Sequence, residues 1–462
     1  MLKSLCVAFV LAGMGVVAHA ETPVVKMSLD VSPVKGKLKS DEKQTTWLRV
    51  GVKGFERPAE ERRAPINACI VLDRSGSMQG DKIRRAKQAA IDAVRMLDPQ
   101  DIVSIVTYDT VVQVLVPATR LTEPEMVIAA INTIEARGNT ALFAGVSKGA
   151  AEVRKFLSDE YVNRVILLSD GLANTGPSSP GELGSLGASL QKENITVSTL
   201  GLGLGYNEDL MVQLAGRSGG NHQFIEEASE LADVFRREFD DVLSVVAQAV
   251  DVTVTVPEGV RPVRVLGNSA DINGQSIVTR LPQVYAGQSK YVVVELEVPP
   301  GETAGQRDLA VVNASYNNMV TNATDNLTGT AAVKFSDSDA EVEQSLDREV
   351  MADVVALISS EQNKMATQLL DQGDILGCRQ LLKKNSDWLE ENAVKLDCPE
   401  LRVLSVTNGI QLQELEKASR PSDPSANYAR KAMRAYQIGV DNQQRVTPPP
   451  SKAPEEKPSG SK

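Results

Sequence analysis

Hydrophobic positions between residues 66 and 245 follow two alternating rhythms. "INACIVL" (66–72) is an unbroken apolar run, the pattern of a strand buried on both faces. Ile83, Ala86, Ala90, Val94 and Leu97 then recur at helical spacing over 81–97. "DIVSIVTYD" and "VVQVLV" predict a strand pair turning around Asp109 and Thr110. Helical patterns follow at 123–134 and 141–157. "RVILLSDG" and "ITVSTLGLG" read as two further buried strands, and helical stretches at 208–218 and 229–246 close the unit. This βαβα succession predicts an α/β domain over 66–246, built on a doubly wound, Rossmann-like, mostly parallel sheet.

The period changes outside that unit. From 247 to 336, runs such as "DVTVTVPEG", "KYVVVELEVPPG" and "DLAVVNASY" are short, β-rich and separated by Gly, Pro and Asn, the pattern of a β-sandwich. Residues 21–65 carry "VVKMSLDV" and "TTWLRVGV", which have the same character but are too short to fold alone. They are expected to complete the sandwich, with the α/β domain inserted between its two parts. Apolar residues at three- and four-residue spacing predict a helical domain over 337–440, and the Pro- and charge-rich residues 441–462 are expected to form a disordered tail.

A chain of 462 residues is expected to hold two or three domains, and 42% hydrophobic residues suffice for their cores. The net charge of −11 argues against nucleic acid and against a polybasic membrane anchor. At the amino terminus Lys3 precedes an apolar stretch and Ala18-His19-Ala20, which predicts a signal peptide over 1–20 cut after Ala20. No later segment reaches the roughly 18 apolar residues of a membrane span. The expected location is the periplasm, with the medium or the cell surface as alternatives. Export allows one disulfide, between Cys378 and Cys398, while Cys69 reads as a small buried apolar residue.

Candidate chemistry lies where strands end. In a doubly wound sheet ligands bind outside the carboxyl ends of the strands. Asp73 closes the first strand there, Ser75 and Ser77 sit on the turn that follows, Thr140 sits in "RGNTAL", and Asp170 in "LLSDG". Taken singly these residues are ordinary helix caps or turn residues. Together, two carboxylates and three hydroxyls make a hard, oxygen-only site suited to Mg2+ or Mn2+ in preference to Ca2+.

"DRSGSM", "GNT" and "LLSDG", in that order, resemble the three loops of the metal-ion-dependent adhesion site of von Willebrand factor type A domains. "GLGLGYNEDLMVQLAGRSGG" is similar to bacterial, exported members. The resemblance covers roughly 66–245. It implies that Asp73, Ser75, Ser77, Thr140 and Asp170 hold a cation, which takes an Asp or Glu carboxylate from a partner protein. The expected function is therefore cation-dependent protein binding, adhesive or scaffolding, and not enzymatic. Beyond the predicted signal segment the sole histidine is His222, expected to be an ordinary edge residue, and no HExxH, GxSxG or phosphate-loop pattern occurs. The alternative expectation is a Mg-dependent enzyme, or an enzyme-complex subunit, of the cell envelope.

Overall fold

The structure is a computed structural model that describes residues 25–57 and 63–444. The predicted signal segment 1–20, and all of the predicted tail after residue 444, lie outside the described residues.

Strands β1 (Ser28–Pro33), β2 (Lys37–Lys39) and β3 (Gln44–Lys53) lead into the α/β domain. That domain contains β4 (Ile66–Asp73), α1 (Asp81–Arg95), β5 (Ile102–Tyr108), β6 (Val112–Arg120), α2 (Pro124–Asn132), α3 (Leu142–Arg154) and β7 (Val162–Ser169). It continues through α4 (Pro180–Lys192), β8 (Thr196–Leu202), α5 (Glu208–Ser218), β9 (His222–Ile225) and α6 (Leu231–Leu243). The sheet order is β6-β5-β4-β7-β8-β9, parallel except for β6. Every residue of β4, β7 and β8 is buried, as their apolar runs predict. Alternation along β4 sends Ile66, Ala68, Ile70 and Leu72 toward Ile131, Phe235 and Phe239. Cys69 and Val71 point the other way, toward Val146, Leu183 and Leu214. Cys69 is fully enclosed, and burial pushes its thiol pKa up to about 12, so it packs as an apolar residue.

The chain then forms β10 (Val245–Thr255), β11 (Arg261–Leu266), β12 (Ala270–Asn273), β13 (Ser276–Leu281), β14 (Val284–Tyr285), β15 (Ser289–Val298), β16 (Gln306–Asn318) and β17 (Ala323–Ser336). One sheet has the order β1-β3-β15-β11 and the other β12-β13-β10-β16-β17-β2, with β14 on β10. β3 lies inside the first sheet and pairs with β15 from Gln44 to Lys53, so strands from both sides of the α/β domain share one sandwich core.

Helices α7 (Asp339–Gln344), α8 (Arg348–Asp371), α9 (Ile375–Leu396), α10 (Pro399–Glu416) and α11 (Pro424–Asp441) complete the described chain. The helical region packs on the first sheet of the sandwich, where Leu266 and Val293 join Val354, Leu357, Leu389 and Tyr436 in one cluster. α11 reaches Asp441, so the start of the predicted tail is helix. The expected Cys378–Cys398 disulfide is absent and both thiols are free. Cys378 lies in the first turn of α9 and Cys398 just past its last, which at 1.5 Å per residue puts them about 30 Å apart. A disulfide tolerates only about 7 Å between Cα atoms. Among the described residues no helix is long and apolar enough to cross a membrane.

Only Ser244 separates α6 from β10, and charged groups are buried at this junction. Arg164 on β7 is fully enclosed, with Glu238 of α6 3.7 Å away, Ser198 Oγ at 3.1 Å and the Tyr285 hydroxyl at 3.3 Å. Glu238 also accepts from Ser198 Oγ and, at 2.9 Å, from Asn221 Nδ2.

Candidate metal centre

The order of the α/β sheet reverses between β4 and β7, and the crevice at their carboxyl ends is the place where this topology binds ligands. Asp73 ends β4 and Asp170 directly follows β7, so both carboxylates stand at that crevice. The loop after Asp73 makes a short 3-10 turn over Gly76–Met78 before α1, and this turn carries Ser77, with Ser75 as its cap. Thr140 comes from the loop between α2 and α3. Gly138 in that loop has φ +72°, and a Cβ there would lie 2.9 Å from Thr110 Oγ1, so both the turn and the close approach require glycine.

The structure brings all five predicted residues together. Ser77 Oγ donates to Asp170 Oδ1 at 2.6 Å, and the Ser75 and Ser77 hydroxyls are 3.0 Å apart. Asp73 Oδ1 accepts from the Ser75 backbone N–H at 2.8 Å, and Asp73 Oδ2 from Ser169 Oγ at 2.6 Å. Gly171 marks the point of convergence. A Cβ on it would lie 2.9 Å from Thr140 Oγ1, 3.3 Å from Ser77 Oγ and 3.6 Å from Ser75 Oγ. Asp73, Ser75, Thr140 and Asp170 are buried, whereas Gly76 and Ser77 are exposed and form the open side of the site.

Two buried carboxylates in one cradle carry an electrostatic cost. Burial pushes the Asp73 carboxyl above its usual range and the nearby Asp170 charge pushes it further, against the bonds from Ser169 and Ser75. Hard oxygen donors, two carboxylates and an open side fit a divalent cation.

Three residues that pattern reading does not single out brace or occupy the site. Ser169 holds Asp73, as described above. Asn174 ties two loops together, accepting from the Thr140 N–H at 2.9 Å while its own N–H donates to the Thr140 carbonyl at 3.2 Å. Lys82, in the first turn of α1, places its ammonium 2.5 Å from Asp170 Oδ2. Of these, only Ser169 is adjacent in sequence to a predicted ligand.

His222 departs from its expectation as an ordinary edge residue. It is buried, its Nδ1 lies 2.8 Å from Thr199 Oγ1, and burial pushes its pKa down to about 3. Its strand is at the sheet edge, but α11 covers that edge: Phe224 meets Tyr428 edge-on at 5.4 Å, and Lys431 sits 2.5 Å from Glu208.

Gly171→Ala is expected to weaken cation binding about tenfold or more and to cost the metal-free protein about 1 kcal/mol while leaving it folded, since its methyl group would intrude among the three hydroxyls. Calorimetric titration with Mn2+, alongside circular dichroism, checks both halves.

Residues 67–237 match the family model of the von Willebrand factor type A domain and form a domain of that kind. The chain is 26% identical over 346 residues to the uncharacterized protein sll0103 of Synechocystis, covering 73% of this chain and 81% of that one. It is 31% identical over 209 residues to the uncharacterized protein YfbK of Escherichia coli, covering 45% of this chain but only 36% of YfbK. Its fold is similar to a solved von Willebrand factor type A structure from Catenulispora acidiphila, with a TM-score of 0.66 at 15% identity. That match covers 83% of this chain and 91% of that one, so the likeness of fold extends beyond the α/β domain.

Proposed function

We propose that this is an exported, periplasmic protein that binds a partner protein through a divalent cation, in an adhesive or scaffolding role and without catalysing a reaction. The observation that carries the reading is the convergence of Asp73, Ser75, Ser77, Thr140 and Asp170 at the switch point of the sheet. It is supported by the domain family, whose members generally mediate protein–protein interaction through a metal site.

Asp73 and Asp170 would supply the negative charge that holds Mg2+ or Mn2+, and the three hydroxyls would supply neutral oxygens. The bound ion supplies a Lewis-acidic position for an Asp or Glu carboxylate of the partner. This chain's own residues fix the pocket: Ser169 orients Asp73, and Asn174 holds the Thr140 loop against the loop that follows Asp170. Leu172 and Leu204 are 59% and 40% exposed on two neighbouring loops at the same edge. The two loops touch, since a Cβ on Gly205 would lie 2.8 Å from the Asp170 carbonyl oxygen. Such a rim favours an acidic residue flanked by aliphatic side chains. His222, enclosed and neutral, has no part in this chemistry.

The test is capture from a cell-envelope extract with Mg2+ or Mn2+ against EDTA, using the mature chain and Asp73→Ala. The expected result is a partner retained only with cation and lost from the variant. The same proteins retained in all three conditions would contradict the reading.

A further inference from the structure

Lys82 occupies one of the two charged groups assigned to the cation. Its Nζ lies 2.5 Å from Asp170 Oδ2, and the other Asp170 oxygen is taken by Ser77 at 2.6 Å. The Asp170 side chain is wholly enclosed, whereas that of Lys82 is 37% exposed. The ammonium thus reaches in from the rim on a flexible stem. Neighbouring cations are committed elsewhere. Arg74 and Arg137 sit 2.9 and 3.3 Å from Asp109, and Arg84 and Arg85 pair with Asp81. Lys82 therefore balances charge at a site that otherwise gathers two carboxylates.

We propose that Lys82 is a built-in counter-ion of the cation site, one that must release Asp170 before that carboxylate can serve a divalent ion. An ammonium and a divalent cation cannot share one carboxylate oxygen without strong like-charge repulsion. Release costs little structure, because the side chain is unbranched and already partly in solvent. The β8–α5 loop borders the ammonium, with a Cβ on Gly203 lying 4.0 Å from Nζ. Lys82 thereby sets the cation concentration at which the site fills and holds Asp170 in place when no cation is bound. This inference rests on the metal-site reading above and goes beyond it by assigning a residue outside the ligand set to the control of affinity.

The test is calorimetric titration of the full chain with Mn2+, for the wild type, Lys82→Met, Lys82→Arg and Lys87→Met. Lys87 removes the same charge from the same helix, but its ammonium bonds to the carbonyls of Asn132 and Ile134. The expected result is that Lys82→Met binds one Mn2+ about tenfold tighter than the wild type, a difference of about 1.4 kcal/mol. Lys82→Arg, which keeps the charge, should stay within about threefold of the wild type, and Lys87→Met within about twofold. A wild type that binds Mn2+, with Lys82→Met equal or weaker, would overturn the inference and leave the metal site standing. Equal gains in Lys82→Met and Lys87→Met would overturn it too, since bulk charge alone would then explain them. No Mn2+ uptake by any of the four would overturn the site itself, and the inference with it.

Discussion

Asp73→Asn is expected to weaken cation binding severely while leaving the chain folded. The substitution keeps the size of the side chain and an oxygen that can accept from the Ser75 N–H, so the loop retains its main brace. It removes one of the two charges that hold the ion. With a single carboxylate left among neutral hydroxyls, Mn2+ affinity should fall at least about 100-fold. The metal-free protein should not suffer. Asp73 is buried beside Asp170, both of which disfavour its charged form, so a neutral amide relieves a cost that the wild type bears. Thermal unfolding therefore separates the two effects. In excess EDTA the variant should melt at or slightly above the wild type. In Mn2+ at about a hundred times the wild-type Kd, the wild type should gain about 2.7 kcal/mol and the variant no more than about 0.4 kcal/mol. A variant that unfolds in EDTA would show that Asp73 is chiefly a structural acid.

Glu238→Ala should give the largest loss of stability. Arg164 is fully enclosed in β7, and Glu238 is its carboxylate partner at the point where α6 turns into the sandwich. Ser198 and Tyr285 would remain as neutral partners, and Asp241, a more distant carboxylate than Glu238, would leave the guanidinium charge only partly compensated. Breaking a buried pair in this way costs about 3–5 kcal/mol, whereas replacing both partners with apolar residues of similar volume is often near neutral. Arg164→Met combined with Glu238→Leu should therefore recover most of what Glu238→Ala loses. A multi-domain chain does not unfold in one step, so the quantity to compare is the urea midpoint of the transition that includes the α/β domain, followed by circular dichroism. A double variant that loses as much as Glu238→Ala or more would mean that the pair is not coupled.

Much of the α/β domain is legible from apolar runs because its central strands are buried on both faces. The pattern at 180–192 announces no helix, yet α4 forms there, since Gly181, Gly184 and Gly187 dilute its apolar stripe. Gly187 is there for packing: a Cβ on it would lie 2.6 Å from the Leu214 carbonyl oxygen of α5. The overlooked signal is Ser179-Pro180 with Glu182, a capping box around a proline in the first turn. The cysteine expectation fails because closeness in sequence means distance in space when a long helix lies between. His222 is misplaced because the cover over its strand comes from α11, some two hundred residues later, and no local pattern carries that contact.

The five oxygen residues are readable because each follows a strand or opens a helix at a position where loop geometry is narrowly constrained. Asn174 and Lys82 are not, since each acts on a loop other than its own and a short polar side chain or a lysine in a first turn is common everywhere.

The most direct measurement is a crystal structure of the full chain grown with Mn2+, read by anomalous difference density. A single strong peak is expected among Asp73, Ser75, Ser77, Thr140 and Asp170, with at least one coordination position open to solvent or filled by a carboxylate from another molecule. A peak elsewhere, or none at Mn2+ concentrations in the millimolar range, would contradict the metal-site reading.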